Sequence, residues 1–268
     1  MSLLKELILL IDSHCHLNYE DYFDIEAVKT KALEHGVDTF IAIGASEGLK
    51  SCIDTIKIAQ NNDNIFATVG IHPHDAILYN DIIEKELYKF SDNKKVIAIG
   101  EIGLDYYYDH SPRELQILVF KKQLEMASKL NLPIIIHTRD AEKDTIDILS
   151  EFKKNNKNAK ILFHCFSGSQ DLANFALSIG AYISFSGIIT FKKADDIRDI
   201  VKKTPIEYIL VETDSPYLTP TPFRGKKNHP AFVSLVAKKV AEIKDIDEND
   251  VISFTRENTI SFFDLEIK

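Results

Sequence analysis

The sequence predicts an α/β chain folded as a (β/α)8 TIM barrel, and three observations carry that expectation. Short, nearly continuous apolar or β-branched runs alternate with longer amphipathic stretches from end to end, the pattern of parallel strands covered on both faces. Eight such runs occur and each is followed by a helix candidate, which is the strand count of that barrel. The rival arrangement, an open doubly wound sheet, needs a glycine-rich turn after its first strand, and His14-Cys15-His16 stands there instead.

The strand-like runs are Leu7–Ser13, Thr39–Gly44, Ile65–Gly70, Val96–Glu101, Pro133–His137, Lys160–His164, Ala181–Ser186 and Tyr208–Glu212. Helices are expected over 24–35, 47–60, 80–90, 112–130, 140–155, 169–179, 195–203 and 230–243, with a further one over 248–263. Ser111-Pro112-Arg113-Glu114 reads as a helix start, with serine at the N-cap, proline at the first helical position and an acid in the first turn. Gly36 and Gly180 fall where helices should end. No Pro/Gly/Ser linker, low-complexity segment or residue-level repeat divides the chain, so 1–268 is read as one barrel domain.

Composition narrows the function classes. The 45% hydrophobic and 27% charged content is that of an ordinary water-facing globular chain. No apolar run is long enough to span a bilayer. The opening MSLLKELILLIDSHCHL carries Glu6 beside a short apolar run and no small-residue cleavage site, so it is read as a strand rather than a leader, in a cytoplasmic protein. Three cysteines at unrelated spacings suit a reducing compartment and match no zinc ribbon. A net charge of −9 argues against coating nucleic acid with a broad basic face. It leaves room for an enzyme that admits one phosphodiester to a metal-filled pocket. The chain is read as a monomer with no obligate protein partner and no membrane contact.

The polar residues fall at the ends of the apolar runs. His14 and His16 follow the first, Gly70-Ile71-His72-Pro73-His74 the third, Glu101 ends the fourth, His137 the fifth, His164 the sixth, and Glu212 and Asp214 the eighth. In a barrel these ends gather round one axial pocket, where barrel enzymes keep their chemistry. One His-x-His is weak evidence, but four histidines and two acids at strand ends are costly to bury unless paired or metal-bound. His14, His16, Glu101, His137, His164 and Asp214 form a nitrogen- and oxygen-only set suited to Zn²⁺, Mn²⁺, Mg²⁺ or Fe²⁺. Six ligands exceed the needs of one catalytic ion with an open position, and suit two ions about 3.5–4 Å apart sharing a carboxylate. Glu101 is the expected bridge, with His14, His16 and Asp214 on one ion and His137 and His164 on the other. Strand alternation turns Cys15 and Cys165 away from this set and places Asp12 one layer below the first two histidines. His35 suits a helix end, His110 a loop, and His229 stays ambiguous.

The stretches DSHCHL, GIHPH, AIGEIGLDYY, PIIIHTRDA, FHCFSG, YISFSGIITF, ETDSPYL and PFRGKKNHP, spread over residues 12 to 230, resemble the TatD family of metal-dependent deoxyribonucleases, a branch of the amidohydrolase-like barrels. Each is weak alone; eight in register are specific. Where the best-known amidohydrolases place a carbamylated lysine, this chain has Glu101. The resemblance implies a divalent-metal-dependent hydrolase of DNA phosphodiesters, acting from a 3′ end on single strands with two Mg²⁺, Mn²⁺ or Zn²⁺ ions. It favours His72 as a substrate contact, His74 less so, and raises a phosphate role for Arg224 in the basic stretch RGKKN. Asp214 and Glu101 are the catalytic candidates, with Asp214 as general acid or base toward the attacking water. Glu212 is a candidate partner to a ligand histidine or to Arg139, and Arg139, just past His137, is read either as a phosphate fork or as a salt-bridge partner. Asp105 and Tyr106, after Glu101, either orient substrate or shape their loop. Tyr106, Tyr107, Tyr108, Phe166, Tyr217 and Phe223 are candidate base-stacking groups. A barrel hydrolase of another phosphoester, an amide or a lactone is the alternative reading.

Overall fold

Residues 8–22 and 24–267 are described by a computed structural model. Leu7, the expected start of the first strand, lies outside them together with 1–6. The strands are β1 (Leu10–Cys15), β2 (Val37–Gly44), β3 (Ile65–Val69), β4 (Val96–Asp105), β5 (Ile134–Arg139), β6 (Ile161–Phe163), β7 (Tyr182–Phe185) and β8 (Ile209–Val211). The helices are α1 (Ile25–Leu33), α2 (Leu49–Gln60), α3 (Asp81–Ser91), α4 (Arg113–Leu130), α5 (Glu142–Asn155), α6 (Gln170–Ser178), α7 (Asp195–Lys203), α8 (Val233–Lys244) and α9 (Glu248–Phe263).

The eight strands form one parallel sheet in sequence order. The sheet curls until the end of β8 meets β1. Cys15 bridges to Ser215, the Asp214 N–H donates to the His14 carbonyl at 3.0 Å, and the His16 N–H donates to the Ser215 carbonyl at 2.9 Å. This is the (β/α)8 barrel that the alternating pattern predicts. No described helix is long and apolar enough to cross a membrane.

Two apolar layers hold the barrel. The larger joins strand residues such as Phe40, Ile134, Ile136 and Phe163 to helix residues such as Val28, Phe120 and Leu124. The smaller fills the barrel itself with Ile11, Ile41, Ile43, Ala98, Ile135, Leu162 and Leu210. Phe262, Phe263 and Leu265, at and after the end of α9, pack with that inner set and plug the end of the barrel away from the histidines. Burying this much aliphatic surface is the main favourable contribution to folding.

Two expectations need correction. Glu101 does not end its strand, because β4 runs on to Asp105. The start of α4 also differs. Pro112 occupies the N-cap with ψ 136°, and Arg113 is the first helical residue. Pro112 is itself extended and so stands outside the helix, and the Ser111 hydroxyl is engaged elsewhere. It donates to the His74 carbonyl at 2.7 Å and accepts the Ile77 N–H at 3.1 Å. Ser111 therefore fastens the loop after β3 instead of capping α4.

Candidate metal centre

The strand ends bring His14, His16, Glu101, His137, His164 and Asp214 together. Glu101 lies at the centre. Its Oε1 is 2.7 Å from His137 Nδ1, 2.8 Å from His164 Nε2 and 3.3 Å from His72 Nε2, while its Oε2 is 3.5 Å from His14 Nε2. Asp214 Oδ1 is 3.3 Å from His16 Nε2 and 3.7 Å from His14 Nε2. The His14 and His164 rings stack with centroids 4.0 Å apart.

Local backbone irregularity makes this convergence possible. In β4, Ile99, Ile102 and Leu104 all belong to the outer layer. Strict alternation cannot place 99 and 102 on one face, and the pairing with β5 shifts register between them. The shift turns Glu101 inward. Glycine is required on both sides of it. A Cβ on Gly103 would lie 2.0 Å from the His137 carbonyl oxygen, and one on Gly100 would lie 2.6 Å from Ile135 Cβ. In β1, Leu10 and Cys15 both face the outer layer despite opposite parity, and the register shifts between Asp12 and Cys15. Cys15 does point outward, as expected. Asp12 precedes the shift, so the alternation that placed it beneath the histidines is broken. Its carboxylate instead accepts the Thr213 N–H at 2.9 Å and the Thr213 hydroxyl at 2.5 Å, anchoring the residue before Asp214.

The electrostatics follow from burial and crowding. Burial alone raises the Glu101 carboxyl, but His164, His72, His137 and His14 outweigh it and hold the group well below the usual carboxylate range. Burial likewise raises Asp214, and His16 and His14 bring it below its ordinary value. Burial lowers His14, with His164 adding to the effect, and pushes His72 down to about 4. For His164, burial is overcome by Glu101 and Glu212, and the imidazole rises well above its ordinary value. His137 also rises, because Asp105 and Glu101 outweigh its burial.

The donor chemistry fits divalent cations. Among the described residues, both ring nitrogens of His14, the Nδ1 atoms of His16 and His164, and Oε1 of Glu212 are buried without a hydrogen bond. Each such atom costs about 1–3 kcal/mol if left unsatisfied. Ligand atoms converge in three groups, His14–His16–Asp214, His72–Glu101–His137 and His14–His164–Glu212, each within 4.8 Å. The last two draw in residues outside the expected ligand set. Glu212 accepts from the Ser184 hydroxyl and its Oε1 is 3.4 Å from His164 Nδ1, the position of a carboxylate that orients a ligand histidine. It does not meet Arg139, whose guanidinium lies over the rings of Tyr107 and Tyr108.

A cavity of about 590 Å³ opens above this cluster, lined among others by His72, His74, Tyr108, His110, Arg139 and Tyr217. His74 Nε2 lies 2.9 Å from Asp105 Oδ2, which is also 3.1 Å from His137 Nε2. Arg224 is not among the lining residues. It lies on the Phe191 ring and donates to the Thr219 carbonyl at 3.0 Å. Cys165, expected to face away, does line the cavity: β6 ends at Phe163, so strand alternation no longer governs it. Burial keeps its thiol protonated. His110, expected only as a loop residue, lines the cavity, and the tyrosines just before it, Tyr107 and Tyr108, are the sequence signal for it. Asp105, the fourth residue of β4 past Glu101, stands on the strand and not in a loop, and its carboxylate meets both His74 and His137.

Comparison with known proteins places this geometry. The family model for TatD-related DNases matches residues 11–264. The metal-dependent hydrolase YabD of Bacillus subtilis is 39% identical over 95% of this chain and 99% of its own length. YcfH of Escherichia coli K12, likewise named a metal-dependent hydrolase, is 36% identical over 97% of each chain. The crystal structure of the Escherichia coli TatD homologue YJJV superposes with a TM-score of 0.90 at 27% identity, covering 97% of this chain and 99% of that one. A match across nearly the whole barrel, to relatives named for metal-dependent hydrolysis, makes this chain a TatD-type metal-dependent hydrolase and a member of the TatD-related DNase family.

Proposed function

We propose that this chain hydrolyses phosphodiester bonds of DNA, as a 3′–5′ exonuclease on single strands, with two divalent ions of the Mg²⁺, Mn²⁺ or Zn²⁺ class. One observation supports this reading above the others: Glu101 turns one oxygen toward His14 and the other toward His72, His137 and His164. A carboxylate placed so is suited to joining two ions. His14, His16, Glu101 and Asp214 would hold one, and Glu101, His137 and His164 the other. When bound, such ions offset the charge of a phosphodiester and make a shared water easier to deprotonate.

The chain's own groups supply the rest. Asp214 stays ionised beside His16 and His14 and keeps some exposure to the cavity, so it can take a proton from the attacking water. His72, buried and neutral within 3.3 Å of Glu101, is placed to contact the phosphate or leaving oxygen. His74, fixed by Asp105, forms the next part of the wall. Asp12 and Glu212 hold Thr213 and His164 in place. The Cys165 thiol, kept protonated, is not an attacking group. The cavity volume lies within the range of small-ligand sites and suits a nucleotide.

The test is metal content together with digestion of labelled single- and double-stranded oligonucleotides. Release of mononucleotides from 3′ ends of single strands, abolished by chelation, is expected. Intact oligonucleotides with every common divalent ion, alongside metal-dependent opening of an amide or lactone, would overturn the nuclease reading.

A further inference from the structure

We propose that Arg139 and Tyr108 form a nucleotide subsite beside the metal centre. Arg139 takes a phosphate adjoining the scissile one, and the Tyr108 ring, backed by His110, takes a base. The proposal rests on the nuclease reading above and specifies how a strand would enter the cavity.

The chain has five arginines. Three are paired with carboxylates: Arg113 with Asp109, Arg198 with Asp195 and Arg256 with Asp38. Arg224 donates to a backbone carbonyl. Arg139 alone among them has neither an ion pair nor a side-chain hydrogen bond within the described residues, and it lines the cavity. Its guanidinium carbon lies 3.9 Å from the Tyr107 ring centroid and 4.9 Å from that of Tyr108. A guanidinium laid on aromatic faces keeps its N–H edge free for a bidentate phosphate contact. In a chain of net charge −9, an uncommitted arginine at the mouth of an acidic metal site has a specific electrostatic use.

The aromatic side is equally prepared. Of the candidate stacking groups, Phe166 is buried, Phe223 stacks on Phe232, and the Tyr106 hydroxyl is tied to Asp144 at 2.6 Å. Tyr107 and Tyr108 are more than half exposed, and Tyr108 lies parallel to His110, 7° between planes. Asp105 fixes this pair relative to the metal centre. Its Oδ1 accepts the N–H groups of Tyr107 at 3.0 Å and Tyr108 at 2.9 Å, while its Oδ2 meets His137 and His74. Arg139 pairs in register with Asp105 and stands two residues after His137 on β5, on the same side of the strand. The subsite and the metal-side imidazole are thus joined through one carboxylate and one strand pair, an arrangement that limits the ordering cost of binding.

The experiment compares a single-stranded decanucleotide with bis(p-nitrophenyl) phosphate, a diester that lacks both a second phosphate and a base, using Mn²⁺-loaded enzyme. The readout is the ratio of kcat/KM on the two substrates. Arg139→Ala is expected to lower that ratio at least about tenfold and to reduce the slope of log KM against log salt on the oligonucleotide by about 0.7, the value of one single-strand phosphate contact. Arg139→Lys should retain the slope but not the full ratio. Tyr108→Ala should lower the ratio by about 5- to 100-fold, the range for one lost stacked base, and Tyr108→Phe should restore it. A ratio and slope that stay within twofold of wild type while the oligonucleotide is still cut overturn the subsite and leave the nuclease reading intact. Equal loss on both substrates overturns it too, because the residue then serves the metal centre. A wild-type enzyme that cuts the small diester but no oligonucleotide overturns the nuclease reading and the subsite together.

Discussion

β4 and β5 lie side by side and deliver their central ligand candidates by opposite means. β5 is regular. Ile135 packs in the barrel interior, His137 follows two residues later on the same side, and the pairing with β6 runs without a shift. β4 is irregular. A register shift between Ile99 and Ile102, bounded by Gly100 and Gly103, is what turns Glu101 to the axis. A regular strand can present a ligand that hangs over the rim. Placing a carboxylate in the middle of four imidazoles needs the backbone itself to move in, and only glycine allows β4 to press that closely on β5.

Substitutions can break this contrast. Gly103→Ala should have the largest structural effect, because its Cβ has no room against the His137 carbonyl and its φ of 143° is strained for any other residue. Clash and strain together should cost about 3 kcal/mol or more, read as a fall in the urea midpoint. A variant as stable as wild type would show that β4 does not need the close approach. Glu212→Gln tests whether His164, the ligand candidate just past β6, depends on the carboxylate behind it. Metal affinity, measured by titration calorimetry, should drop about 10- to 100-fold with the fold unchanged; an unaltered affinity would reduce the Glu212–His164 contact to packing.

The buried imidazoles and carboxylates of the site also set how stability depends on pH. In chelated protein, His164 and His137 are raised, so their contribution is complete below about pH 6.5 and is lost as pH climbs through their folded values. His14 and His72 are lowered, so the unfolded chain takes up protons first as pH falls below about 6.5, and stability is lost on the acid side as well. Glu101 and Asp214, both depressed, add to the acid-side loss below about pH 4. Thermal unfolding with EDTA should therefore show an optimum near pH ~6.5. Excess Mn²⁺ should flatten the alkaline limb, since the cation takes the place of the protons. A chelated Tm that rises steadily to pH ~9 contradicts this, because it needs the unfolded state to bind more protons throughout. The smallest effect belongs to the regular strand: Ile135→Val should cost about 1 kcal/mol in the same denaturation assay and leave metal affinity unchanged. A larger loss, or weaker metal binding, would mean that β5 is as tightly constrained as its neighbour.

The barrel was legible in the sequence because each strand is an apolar run and each connection an amphipathic one, a pattern that survives boundary errors of a few residues. The strand-end placement of His14, His137, His164 and Asp214 was legible for the same reason. What was not legible depended on departures from regular geometry. β4 continues through Glu101 to Asp105, so Asp105 stands on the strand and not in a loop, and its hold on Tyr107, Tyr108, His74 and His137 does not follow from the sequence. Periodicity said Asp12 should sit beneath His14, and a register shift separates them. Ser111 carries the residue type of a cap but spends its hydroxyl on the loop after β3. Charge density favoured Arg224 and left Arg139 open between a phosphate fork and a salt-bridge partner, whereas Arg139 is the arginine that lines the cavity and has no ion pair among the described residues. A count of nearby basic residues cannot tell a guanidinium whose N–H groups are spent on the backbone, as at Arg224, from one that only stacks on rings, as at Arg139.

A bridging role for Glu101 is tested by the number of Mn²⁺ equivalents bound per chain by wild type and by Glu101→Ala, with circular dichroism confirming the fold. Two equivalents for wild type, and weakening of both in the variant, is the predicted result. One equivalent retained at wild-type affinity in Glu101→Ala would contradict the bridge and leave Glu101 as a ligand to a single ion.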